Sequence, residues 1–177
     1  GSADWTKGWT FGLHPTTSLA ACPTGTSEVA SLTGKLNCEL KGDITSNVTL
    51  KSGADYVLNG LVRVGGDNTN SATLTVEPGV TVYGKSGADF LVVARGSKMV
   101  ADGTAAAPIV FTSLQDVIGS TTRSGQWGGI VVLGNAPSNK CDQVTQTSCS
   151  IQAEGNAGPY GGYNAADNSG VSTYIQL

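Results

Sequence analysis

The sequence predicts an all-β fold wound as a parallel solenoid, and three observations carry that reading. From Cys38 onward, β-branched runs of three to seven residues follow one another, separated by Gly, Asn, Asp or Pro. Two near-identical hexapeptides, Lys51-Ser52-Gly53-Ala54-Asp55-Tyr56 and Lys85-Ser86-Gly87-Ala88-Asp89-Phe90, punctuate those runs 34 residues apart. Two-residue hairpin signals are scarce: only Asn59-Gly60 and Asp102-Gly103 lie between segments that could pair, which disfavours a meander or sandwich. Short strands with no helices between them fit coils that stack on one another around a narrow apolar column.

Taken in order, residues 3–13 hold Trp5, Trp9, Phe11 and Leu13. Trp9, Phe11 and Leu13 alternate as in a strand, and Gly8, Gly12 and Pro15 oppose a helix. The polar passage 16–33 carries Cys22, and its segment 26–32 is the one expected helix, of one or two turns. Residues 1–37 therefore read as an aromatic strand followed by a disulfide-bearing cap. Residues 38–177 read as the coils, with expected strands at 38–40, 48–50, 56–58, 61–64, 73–76, 80–83, 90–94, 98–101, 109–112, 129–133, 151–154 and 171–177. The 34-residue offset is expected to be one enlarged coil, or a coil plus a loop. A long loop is expected at about 134–150.

Composition narrows the function classes. Charged residues make up 13% of the chain and the net charge is −3, with no Lys/Arg cluster to neutralise phosphates, so nucleic acid is set aside. No run of 18 apolar residues is present, so no membrane-spanning helix is expected. The four cysteines fall into two local pairs, Cys22/Cys38 and Cys141/Cys149, each closing a Thr/Ser/Asn-rich segment. That arrangement predicts two local disulfides and an oxidising compartment.

Few residues suggest chemistry. Asp55 and Asp89 of the repeated hexapeptides could stack on adjacent coils as a carboxylate pair, although turn residues bonding nearby backbone N–H groups are the expected role. His14 stands alone beside Pro15, and no nucleophile motif is present, which favours a non-catalytic role. The oxygen-rich turns 65–70 and 164–170 make Asp67 and Asp167 candidate calcium ligands, calcium being the only cofactor suggested. Trp127, Tyr160 and Tyr163 sit near glycine-rich loops and are candidate glycan-stacking residues.

Motifs spread over residues 73–175 carry a resemblance to a known family. They are Leu74-Thr-Val-Glu-Pro-Gly-Val-Thr-Val82, Phe90-Leu-Val-Val-Ala-Arg-Gly-Ser-Lys98, Ala101-Asp-Gly-Thr-Ala-Ala-Ala-Pro-Ile-Val-Phe-Thr-Ser113 and Gly125-Gln-Trp-Gly-Gly-Ile-Val-Val-Leu-Gly-Asn-Ala-Pro137. Glu154-Gly155, Tyr160-Gly-Gly162 and Asp167-Asn-Ser-Gly-Val171 extend the series. Together they resemble a family of secreted, right-handed parallel β-helix proteins of Gram-negative bacteria, described only as hypothetical proteins or lipoproteins. The resemblance implies an extracytoplasmic location and no established activity. Family members are longer, so it also implies further coils beyond Leu177.

The expected function is that of an extracellular or cell-surface structural module. Tyr174, Ile175 and Leu177 would form an uncapped coil end, and a neighbour's segment 3–13 would add a strand there. A head-to-tail contact of that kind propagates into a filament. The remaining coils of a longer chain are the other expected occupant of that end. The competing class is a carbohydrate-binding or polysaccharide-active protein using loops on one face of the helix, a reading that rests on fold-level analogy.

Overall fold

The computed structural model describes residues 18–141 and 148–177. Trp5, Trp9, Phe11, Leu13 and His14 lie outside the described residues. Strand β1 (Ser27–Val29) runs antiparallel to β2 (Asn37–Ile44) and covers the start of the first coil. That coil continues into β3 (Val48–Leu50). In the second coil, β4 (Asp55–Val64) lies parallel on β2, and β5 (Thr73–Val76) lies parallel on β3. The third coil has β6 (Thr81–Gly84) on the first half of β4, β7 (Phe90–Val93) on its second half, and β8 (Lys98–Asp102) on β5. In the fourth, β9 (Ile109–Ser113) lies on β6, a single helical turn α1 (Leu114–Val117) follows, and β10 (Ile130–Val132) lies on β7. An antiparallel hairpin, β11 (Ile151–Gln152) and β12 (Pro159–Tyr160), interrupts this coil. Then β13 (Gly170–Thr173) lies on β8 and β14 (Ile175–Gln176) on β9.

The result is three stacked faces. The first runs through β2, β4, β6, β9 and β14, the second through the later halves of β2 and β4 and then β7 and β10, and the third through β3, β5, β8 and β13. Register partners such as Asp55 and Thr81, Leu74 and Met99, or Thr81 and Val110 are 25 to 29 residues apart, which sets the length of a regular coil. The first and second faces share one strand where the chain turns at Gly42 and Gly60, both at positive φ (67° and 68°). Only a residue without a Cβ takes that corner at no steric cost. Asn59-Gly60 is thus a bend within β4 and not a hairpin.

Strand alternation fills the axis. Leu40, Ile44, Val48, Leu50, Leu58, Val62, Val64, Leu74, Val76, Leu91, Val93, Met99, Ile109 and Phe111 all belong to one buried cluster. Burying each such side chain contributes roughly 1.5–3 kcal/mol, which is how a chain with few aromatics sustains a fold.

Five readings of the sequence are corrected. Segment 26–32 is not helical, because Ser27–Val29 pairs with Asn37–Glu39 beside the Cys22–Cys38 disulfide. An isolated one- or two-turn helix cannot compete with such an edge. The hexapeptide offset is not a coil. The first copy turns the chain from the third face to the first, the second from the first face to the second, so both are corners, but different ones. Asp55 therefore stacks between Asn37 and Thr81, away from Asp89, and the two do not form a carboxylate pair. Finally, the expected strand 171–177 is broken at Tyr174, whose φ is 47°, and the expected loop 134–150 extends to a longer insertion containing β11 and β12.

Candidate functional site

The insertion between β10 and β13 folds back over the outer side of the second face. On β7, Leu91 and Val93 point into the axis, so Val92 points out, yet it is fully buried. Val92 packs with Leu133 and Ala157, and Leu61, Phe90, Val131, Ala153 and Tyr160 border that cluster. The flank of the helix is thus a second, small apolar layer roofed by the hairpin.

Arg95 fixes the base of this roof. It follows β7 and is 7% exposed. Its Nη1 donates to the carbonyl oxygens of Cys149 and Gly161, both at 2.7 Å, the two ends of the hairpin. Nε and Nη2 donate to the two carboxylate oxygens of Asp67, at 2.5 and 2.7 Å. The fork geometry of guanidinium suits this bidentate grip. The hydrogen bonds that Arg95 donates to Asp67 push its pKa above the ordinary value, so the cation persists throughout the usual pH range. At the far end of the hairpin, Arg63 donates to the carbonyls of Asn156 and Ala157 at 3.3 and 3.4 Å.

The sequence-predicted residues are distributed as follows. Cys22–Cys38 and Cys141–Cys149 are disulfides, as expected. Asp67 is held by Arg95, and Asp167 accepts from the Asn135 backbone N–H at 2.9 Å. The two oxygen-rich turns are linked through Asn135, whose backbone N–H serves Asp167 and whose carboxamide pairs reciprocally with that of Asn68 at 2.9 and 3.0 Å. Among the described residues, no group of three or more His, Cys, Asp or Glu side chains is placed to hold a metal ion. Asp55 pairs with Lys35 at 3.2 Å. Asp89 accepts from the N–H groups of Gly60, Lys85 and Ser86 at 2.7 to 2.8 Å, the turn role expected of it. In the first hexapeptide, Glu77 accepts from the Ser52 N–H at 2.9 Å instead.

The three aromatic candidates stand in different surroundings. Trp127 packs against the axial core, Tyr160 against the flank layer, and the Tyr163 hydroxyl donates to the Ser148 carbonyl at 3.3 Å. Tyr160 also lines a cleft of about 550 Å³ with Val131, Leu133, Pro137, Ser138 and Asn139. At the last coil, Ile175 is partly buried over Ile109, while Tyr174 is 62% and Leu177 82% exposed. The sequence reading missed Arg63, Arg95 and Asn135. A lone Arg between Val92-Val93-Ala94 and Gly96 was the available signal for the second of these.

Residues 42–177 match the family model described as "Pectate-lyase like beta helix domain". The chain belongs to this pectate-lyase-like β-helix family. The match covers the stacked faces, the insertion and its hairpin, and agrees with the all-β parallel fold read from the sequence. No curated protein and no solved structure matches the chain. Membership in the pectate-lyase-like family accounts for the architecture, and the activity has to be argued from the residues themselves.

Proposed function

We propose that the protein is a secreted or surface-displayed, right-handed β-helix module of the Gram-negative type its motifs resemble, working through interaction and not catalysis. The observation that carries this is the edge formed by β10, β13 and β14. Val132 lies over Val93 and so faces the axis, yet it is 52% exposed, and Leu177 follows the inward-facing Ile175 at 82%. Among the described residues no strand pairs with the outer edge of that layer. Such an edge accepts a further strand by β-augmentation, and the two occupants that fit it are segment 3–13 of a second copy, which the experiment below tests, and a further coil of a longer chain. The two disulfides support an oxidising, extracytoplasmic setting. Light scattering and negative-stain microscopy of the chain test the proposal. Concentration-dependent oligomers are expected, and Val132→Lys with Leu177→Lys should return monomers. A wild-type chain that stays monomeric at high micromolar concentration overturns it, and oligomers that persist after deletion of 3–13 remove that segment as donor.

A second reading is favoured by the cleft beside Tyr160. Its apolar walls with Ser138 and Asn139 at one side offer an aromatic face and polar groups to a sugar, and the family description supports acidic polysaccharide as the class to try. Oligogalacturonide titration, with Tyr160→Ala as control, tests this. Equal binding in both proteins, or none in either, rejects it.

A further inference from the structure

We propose that the hairpin 149–161 is a strap that lifts off the flank as a unit while the coils stay wound, and that Arg95 sets its closure. The hairpin cannot be ordered alone. Its ladder has two rungs, Ile151 with Tyr160 and Gln152 with Pro159, and Pro159 has no N–H to give. It is therefore structured only while docked, so docking and ordering are one equilibrium.

The Cys141–Cys149 disulfide tethers one end of the strap, which therefore opens as a flap hinged there, and the non-covalent docking contacts are few and of a particular kind. Both ends of the strap are held by one nitrogen of Arg95, through the carbonyls of Cys149 and Gly161, and the Gly161 N–H donates to the Gly134 carbonyl at 2.8 Å. The tip is held by the longer Arg63 bonds, again to carbonyls. The underside contributes Ala153, Ala157 and Tyr160, a small apolar area compared with the axial core. By contrast, the coil strands β4 to β8 each pair with strands on both sides, and β9 pairs with β6 over 110–113 and with β14 at Ile109 and Val110. Asp67 matters because it fixes the guanidinium in place before the strap arrives. Opening uncovers Val92 and removes Tyr160 and Gly161 from the wall of the cleft, so occupancy of the cleft and strap position are linked.

Hydrogen exchange of the intact chain, read by mass spectrometry, tests this without any ligand. The amides of Ala153 and Gly161 should exchange at least about tenfold faster than those of β4, β6 and β9 in the wild type, as a separate opening unit requires. Arg95→Lys keeps the charge and loses the fork, and should speed the strap by a further ~10-fold, with the coil strands unchanged. Arg63→Met should act within the strap on 154–158, and on the coils it removes only the exposed ion pair with Asp43. Strap and coil amides exchanging in concert in the wild type, repeated in submolar denaturant, overturn the proposal whatever the variants do. Equal acceleration of strap and coils in Arg95→Lys, or no change in either, overturns the role of Arg95.

Discussion

Tyr83 donates its phenolic hydroxyl to the Oδ1 of Asn37 at 2.8 Å, across the whole of the intervening coil, and both residues are fully buried. The same Asn37 oxygen accepts the Leu32 N–H at 2.8 Å, so one carboxamide ties the N-terminal cap to the third coil. Removing the hydroxyl leaves Asn37 with one donor. Tyr83→Phe should therefore lower stability by about 1 kcal/mol, as one buried hydrogen bond contributes. Urea denaturation checks this, with an unchanged m-value expected.

The same burial gives the protein an alkaline limit. Desolvation pushes both Tyr56 and Tyr83 from 10.0 up to about 12. The folded state thus retains protons that the unfolded chain releases, so the stabilisation is complete below pH 10 and is lost as pH rises through 12. A flat melting temperature up to about pH 9.5 followed by a steady fall is expected. In absorbance titration, two of the five tyrosines should ionise late or only with unfolding.

Asp89 holds the corner between the first two faces of the third coil through three backbone N–H groups and the Ser86 hydroxyl. Asp89→Ala strands those donors at a buried site, and a loss of about 2–4 kcal/mol should follow. Asp89→Asn keeps one acceptor oxygen and should recover part of it. Chemical denaturation of both variants measures the difference.

Gly170 opens β13 at φ 128°, and a Cβ there would meet the Met99 carbonyl oxygen at 1.8 Å. No side chain yields to a backbone atom at that range. Gly170→Ala should cost more than about 2 kcal/mol and detach β13 from β8. Loss of exchange protection at the Met99 and Gly103 amides, which donate to Ser169 and Thr173, would report it. An unperturbed spectrum would show that the chain reaches this corner another way.

The Cys22–Cys38 bridge closes a span of 16 residues, and Cys141–Cys149 one of 8. Replacing the first pair with Ser should cost about 3 kcal/mol on the chain-entropy account, and the second pair less. Thermal melts of the two double variants rank them.

Strand positions were legible because burial on one side imposes a period of two, and β-branched runs bounded by turn residues keep that signal local. The runs at 48–50 and 73–76 became strands with those boundaries. The cysteine pairs were legible for a similar reason, each being close in sequence. The strap was not, since Arg95 and Gly161 are 66 residues apart and meet only because an insertion folds back.

What the sequence determined alone is the winding: short strands, glycine corners and local disulfides each rest on residues near one another in the chain. What the tertiary structure alone decided is the partner of each polar side chain that reaches beyond its own turn. Near-identical hexapeptides took different corners: Glu77 reaches Ser52 from the next coil, whereas Asp89 serves Ser86 from within its own turn. Stacking juxtaposes residues about one coil apart with no trace in the local pattern. The charges of Asp67 and Arg95 acquired a role only when the coils and the insertion brought them together.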